Sequence, residues 1–204
     1  MSLLTLPAIA ALQDRATRMW HEDDAARLET TGELEAAILA QHRANYDLWH
    51  IEDQARTPGI DDATLARTKR AIDAVNQQRN DLAEQCDARL LALLAPLRLP
   101  HPQAELHSES PGLMIDRLSI LSLKLFHTRE EMARSDAPAG HVQRNQQRFG
   151  ILLEQRDDLQ KALETLWRRV LSTERSFKVY RQLKMYNDPA LNPSVYGAAG
   201  GGRR

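Results

Sequence analysis

The segment GLMIDRLSILSLKLF, residues 112–126, is apolar on nearly every side when wound as a helix. A helix with one apolar stripe lies against a surface, whereas one that is apolar all round has to be covered on all sides. Its place is therefore the centre of a helical bundle. Ser110 and Pro111 suit its N-cap and first position, so the spacing predicts a helix over about Pro111 to Ala133. The polar residues that it carries, among them Asp116, Ser119 and Lys124, then have little access to water.

The other segments supply the cover. A first helix is predicted from about Leu6 to Trp20, with Pro7 in its first turn. Thr30 and Glu33 are spaced as a capping box for a second, about Gly32 to Arg56, which stops before Thr57-Pro58-Gly59. Asp61 is placed to cap a third, about Asp62 to Ala95, ended by Pro96. After DAPAG a fifth runs from about His141 to Ser172. No run alternates as strands do, and no repeat recurs. The fold class is all-α, a bundle of about five long helices with an irregular C-terminal segment packed on it. The chain of 204 residues fits one domain, taken as 1–196, with the Gly/Arg tail 197–204 expected to be disordered.

Composition narrows the setting. A net charge of -1 gives no global pull toward nucleic acid or an anionic membrane. Cys86 is the one cysteine, so no internal disulfide forms, and its apolar helix stripe marks it as an inert core thiol. The start, MSLLTLPAIAALQDR, lacks the charge and cleavage pattern of a signal peptide. No segment is long and apolar enough to span a bilayer, and a cytoplasmic protein is expected.

The apolar faces are interrupted in four helices. In steps of three and four, Leu34, Ile38, Asn45, Trp49, Glu52 and Arg56 share a face that begins apolar and ends charged. In the third helix Arg79 falls among Leu65, Ile72, Val75, Leu82, Cys86 and Leu93, with Asp73, Asn76 and Asn80 beside that stripe. Arg79 belongs to NQQRND, residues 76–81, six polar residues in a row. On the fourth helix Asp116 and Ser119 share a face, while Arg117 and Lys124 stand seven apart. On the fifth, Asn145 and Arg156 interrupt Val142, Phe149, Leu152, Leu159 and Leu163. A buried charge left unpaired costs several kcal/mol, roughly, so such groups pair with one another or line a cavity. Both a ligand site and a structural ion-pair network fit these residues. A site leaves a solvent-reachable cavity; a network fills itself.

Several chemistries have no support. A di-iron bundle needs two Glu-x-x-His motifs, and they are absent. There is no phosphate loop, no dinucleotide fingerprint and no nucleophile elbow. His50 with Asp53, or His127 with Glu130 and Glu131, are metal-capable pairs, but the histidines are read as surface groups, and no metal or cofactor is expected. Arg175, Lys178, Arg181 and Lys184, interleaved with Phe177, Tyr180 and Tyr186, resemble a nucleic-acid strip, yet no other basic surface accompanies them.

Four segments carry a family resemblance. They are NYDLWHIEDQAR (45–56), KRAIDAVNQQRNDLAEQCD (69–87), ESPGLMIDRLSILSLK (109–124) and VYRQLKMYNDPALNP (179–193). In that order they resemble the bacterial family of unknown function numbered forty-two fifty-four, over about Trp20 to Tyr196. Ser110 stands where the family usually has Thr, which keeps the cap. The motif positions coincide with the polar interruptions: Asn45, Trp49, Glu52, Asp53 and Arg56, then Asp73, Asn76, Arg79, Asn80 and Asp81. Glu109, Asp116, Arg117 and Lys124 follow, and then Tyr180, Arg181, Lys184, Tyr186 and Asn187. The resemblance implies genes neighbouring glycosyltransferases of lipopolysaccharide or surface-glycan assembly.

These side chains suit a phosphorylated sugar or nucleotide-sugar. Asn amides and carboxylates hydrogen-bond hydroxyls, an indole stacks on a sugar face, and Arg forks hold phosphate. Glu52, Asp53 and Asp116 are the candidate general acids and bases. The alternative is a non-catalytic partner or regulatory subunit of a glycosyltransferase, with the polar residues holding helix register; self-association into a homo-oligomer is compatible with either. The C-terminal segment is expected to close one end of the pocket, turning Arg181 and Lys184 toward a bound anion.

Overall fold

The computed structural model describes residues 8–183 and 190–191. Pro7, Lys184, Tyr186, Asn187, the turns expected at Pro189 and Pro193, and the 197–204 tail lie outside the described residues. Five helices follow in order: α1 (Ile9–Glu22), α2 (Glu33–Ala55), α3 (Asp62–Leu94), α4 (Pro111–Ala133) and α5 (His141–Leu171). The strand content among the described residues is one parallel pair of two-residue strands, β1 (Glu105–Leu106) beside β2 (Arg175–Ser176).

The local signals hold at three of the four caps and fail at one. Asp61 accepts from Thr64 N–H at 2.9 Å, and Ser110 from Leu113 N–H at 3.4 Å with Pro111 in the first turn. Pro96 ends α3 by forcing a short 3-10 turn at Ala95–Leu97. The Thr30–Glu33 capping box does not form. The cap of α2 is Gly32, which has no side chain to offer, and Glu35 instead accepts from Thr31 N–H at 2.8 Å. The cap moves two residues along, from Thr30 to Gly32, and Glu35, not Glu33, reaches back across the first turn.

Helix α4 packs on all four other helices. Met114, Ile115, Leu118, Leu123 and Leu125 are buried on it, with Leu118 wholly inaccessible. Around them lie Ile9, Leu12 and Trp20 of α1, Ile38 and Tyr46 of α2, Leu90 and Leu94 of α3, and Leu163, Trp167 and Val170 of α5. The core position of Cys86 is as read from sequence, and burial pushes its thiol up to about 12. The buried face of α3 runs through Ala83, Cys86, Asp87, Leu90 and Leu94. Leu65 and Leu93, expected on that stripe, are 40% and 41% exposed. With 33 residues against 23 in α2, α3 is about 15 Å longer than its main partner, and its ends outrun the cover.

Of the C-terminal segment expected to pack on the bundle and close one end of the pocket, the described residues are anchored mainly by Phe177, and none of them from Lys178 onward lines the clefts described below. Phe177 is in the core, Ser176 Oγ donates to Ala104 O at 3.0 Å, and Gln182 N–H donates to Glu84 Oε1 at 2.9 Å. Tyr180, Arg181 and Leu183 are exposed.

Candidate functional site

The centre of the bundle is threaded by polar groups. Gln41, His42 and Asn45 of α2 face Asp116 and Ser119 of α4, while Gln13 and Thr17 of α1 close the far side. Thr17 donates its hydroxyl hydrogen to Gln13 O at 3.0 Å, so toward His42 it can only accept. His42 therefore carries its proton on Nε2, 2.8 Å from Thr17 Oγ1. Its Nδ1 then accepts from Ser119 Oγ at 2.7 Å, and Ser119 Oγ in turn accepts from Asn45 Nδ2 at 2.9 Å. Burial pushes the imidazole down to about 3, which keeps it neutral and the direction of this chain intact.

The chain ends at Asp116. Its Oδ1 accepts from Asn45 Nδ2 at 2.9 Å and from Gln41 Nε2, and its Oδ2 lies 3.7 Å from Arg79 Nη1. Burial raises the Asp116 carboxyl above its ordinary range, against the pull of Arg79 and Asn45. Arg79 is under-used: beyond this long ion pair, its Nε is buried without a hydrogen-bond partner.

Outside this inner chain lies a cleft of about 440 Å³ between α2, α3 and α4. It is lined by Asn45, Trp49, Glu52, Asp53, Arg56 and Arg79, with Leu48, Ile120 and Leu123 as its apolar part. Six residues singled out from sequence thus share one cavity, and Asp116 stands behind it through Arg79 and Asn45. Glu52 is half-buried and held by Arg56 at 2.8 Å, one helical turn on, and Asp53 is exposed. Among the three candidate acids and bases, Asp116 is the least exposed, its side chain 14% accessible against 37% for Glu52.

Two further clefts adjoin this one along α4. One, about 690 Å³, shares Ile120 and is lined by Glu109, Arg117 and Lys124, with Arg117 Nη1 donating to Glu109 Oε1 at 2.6 Å. The other, about 450 Å³, shares Trp49 with the first and Lys124 with the second, and adds His127, Glu131, Asn145 and Arg148.

NQQRND therefore divides its labour. Arg79 turns into the cleft, while Asp81 accepts from Gln77 Nε2 at 2.7 Å on the exposed side. Asp73 is likewise exposed and paired with Lys69. Asn76 and Asn80 are half-buried and line none of the three clefts, and neither do Tyr180 and Arg181. The wall expected from the whole hexapeptide reduces to one arginine, because a straight helix shows a given face to the bundle only once per 3.6 residues, about every turn.

The sequence reading passed over Gln13, Thr17, Gln41 and His42. The signal for them was present. Gln13 and Thr17 sit at helical spacing among Ile9, Leu12, Ala16 and Trp20, and His42 lies one turn from both Ile38 and Tyr46. It also read the histidines as separate surface groups. His127 does bond Glu130, at 2.7 Å, but His50 stands beside His21 and His127 rather than Asp53, and one ring nitrogen from each of the three lies within 4.8 Å of the others.

No curated protein and no solved structure matches the chain. Residues 35–179, from the first turn of α2 to just beyond β2, match the family described as protein of unknown function (DUF4254). That span holds the whole cleft and leaves out α1 with Gln13 and Thr17, a narrower reach than the Trp20 to Tyr196 expected. The chain belongs to the DUF4254 family.

Proposed function

We propose that the cleft between α2, α3 and α4 binds a phosphorylated sugar or nucleotide-sugar, within cell-envelope glycan biosynthesis of the lipopolysaccharide type. The observation that carries the reading is Arg79. A guanidinium has five N–H donors, and this one spends them on a single ion pair at 3.7 Å while lining a cavity. A phosphate oxygen beside it would take up donors that the fold leaves idle. Trp49 supplies a ring at the same cavity, and Asn45, Glu52 and Asp53 supply groups for sugar hydroxyls. Asp116, saturated at Oδ1 and facing Arg79 through Oδ2, orients that guanidinium. The glycan setting rests on the family resemblance, and phosphate recognition rests on the cleft.

The test is calorimetry and thermal shift with a panel of sugar phosphates, nucleotide-sugars and the matching neutral sugars. A ligand that binds only the native state raises its stability, by about 2.7 kcal/mol at a hundredfold excess over Kd. The phosphorylated members should stabilise and the neutral ones should not. Arg79→Gln should weaken binding about tenfold or more, since a charge-assisted hydrogen bond is worth roughly 1.5–3 kcal/mol. A panel that leaves the melting temperature unmoved rejects the reading. It would favour the second one, a non-catalytic glycosyltransferase partner, which is supported by the inner Thr17–His42–Ser119–Asn45 chain. Those groups satisfy one another and need no ligand.

A further inference from the structure

Three histidines from three helices meet at the edge of the core. His21 is in the last turn of α1, His50 is in the second half of α2, and His127 is in the second half of α4. Their ring centroids are 5.1 to 6.0 Å from His127 and 5.3 Å between His21 and His50. One nitrogen from each lies within 4.8 Å of the other two.

The second nitrogen of every ring is already engaged, and in the same way. His21 Nδ1–H donates to Thr17 O at 2.7 Å and His50 Nδ1–H to Tyr46 O at 2.8 Å, each one turn back along its own helix. His127 Nδ1–H donates to Glu130 Oε2 at 2.7 Å. A proton held on Nδ1 leaves the Nε2 lone pair free on all three rings. Two of these, on His21 and His127, are buried with no hydrogen-bond partner. Buried nitrogens without partners are rare in folded proteins and call for an explanation. Imidazoles that ligate a metal through one nitrogen almost always donate the other N–H to a backbone carbonyl or a carboxylate, which fixes the tautomer and aims the lone pair. That is the pattern at all three rings.

The surroundings are those of a built site. Phe126 stacks on His21 at 4.0 Å, Tyr46 packs on His50 at 4.3 Å, and Trp49 lies parallel to His127 at 4.7 Å with 10° between the planes. These rings restrict the imidazoles and exclude water around them. The Glu130 carboxylate, one bond removed, offsets positive charge brought to the centre.

We propose that His21, His50 and His127 bind a divalent transition metal of the zinc class through their Nε2 atoms. The ligand type is right for zinc, and also for copper or nickel, and wrong for magnesium or calcium, which take oxygen donors. Nitrogens around a tetrahedral zinc at about 2.0–2.1 Å stand roughly 3.4 Å apart. With the three nitrogens already within 4.8 Å of one another, each separation has at most about 1.4 Å to close. Three protein ligands leave one position for water or an exogenous ligand. His50 with Asp53, or His127 with Glu130 and Glu131, the groupings read in sequence, give way to a trio that no single helix contains.

The experiment uses the full chain, stripped with chelator and titrated with zinc against a chromophoric competitor. One equivalent should bind with micromolar or tighter affinity and raise the melting temperature. Cobalt in its place should give the intense visible bands of a four-coordinate ion. His50→Gln and His127→Gln should each weaken uptake tenfold or more with helix content unchanged. His101→Gln, exposed in the loop before β1, should leave it as it was. If both variants lose their fold, the unaltered protein still decides the matter: nitrogen-labelled histidine spectra should shift at three rings, on Nε2, when zinc is added. No stoichiometric uptake, or uptake that survives both substitutions, overturns the proposal. So does a spectrum that shifts at other rings.

Discussion

Asp87 lies on the buried face of α3 and caps α4 from outside that helix. Its Oδ1 accepts from Gly112 N–H at 2.6 Å, and its Oδ2 accepts from Ser110 Oγ. Burial nonetheless raises its carboxyl from 3.8 to about 6. Between those values the folded protein keeps a proton that the unfolded chain has released. The contribution to stability is full below pH 4, roughly, and is lost as pH rises through about 6. His42 acts in the opposite sense: held down at about 3, it contributes stability above its ordinary 6.5 that is lost as pH falls toward 3. Comparing Asp87→Asn with the parent isolates the first effect. In urea unfolding from pH 4 to 7 the variant should gain on the parent by about 2–3 kcal/mol as pH rises. A difference constant with pH would rule this assignment out. The same corner makes a glycine indispensable. A Cβ on Gly112 would stand 2.3 Å from Ala83 O and 2.8 Å from the Asp87 carboxyl, whereas one on Gly150 in α5 meets nothing within 4 Å. Gly112→Ala should cost about 1–3 kcal/mol through overpacking. Gly150→Ala should stabilise by about 0.5–1 kcal/mol, because alanine has less backbone entropy to lose in a helix. Thermal melts that move both variants the same way would contradict the packing.

At the level of the element, α4 shows how one helix serves both core and site. Leu118 is inaccessible to solvent, while Leu121, one turn nearer the cleft beside Glu109 and Lys124, is half-buried. Leu118→Ala should lose about 2–5 kcal/mol, the range for a leucine whose space cannot collapse. Leu121→Ala should lose distinctly less, since solvent already reaches its side chain. Equal losses in chemical denaturation would mean that the cleft is closed in solution. The anomaly that marked α4 in sequence, polar residues on an all-apolar helix, resolves along its length. Ser119 is paired inward to His42, Asp116 reaches Arg79, and Lys124 is exposed where two clefts meet.

For the whole molecule, the decisive fact is that α4 touches every other helix. Removing any neighbour exposes its apolar surface, so the bundle should unfold as one unit. The three tryptophans sample α1, α2 and α5, at Trp20, Trp49 and Trp167. Fluorescence and far-ultraviolet dichroism should therefore give coincident denaturant midpoints. A fluorescence transition well ahead of the loss of helix would show that an outer helix leaves on its own. No helix among the described residues is long and apolar enough to cross a membrane.

Sequence alone determined the helices, two side-chain caps and the central position of α4, because these depend on spacing within a few turns. Asp61 and Ser110 act on neighbours three residues away, Pro96 acts within one turn, and an all-apolar helix has one possible environment. It also determined that Asn45, Trp49, Glu52, Arg79 and Asp116 interrupt apolar faces. Only the tertiary structure decided which of them meet. Periodicity gives the direction of a side chain around its own axis but not how far a neighbouring helix extends to cover it. Arg79 consequently enters a cleft while Asp73 and Asp81, within two turns of it, pair along the solvent face. The same holds with more force for His21, His50 and His127. On its own helix His21 gives no signal, and His50 and His127 suggest only pairings with nearby carboxylates. They become a set of three aimed nitrogens only when α1, α2 and α4 pack, because metal-ligand geometry is a property of distances between helices that spacing along a chain does not encode.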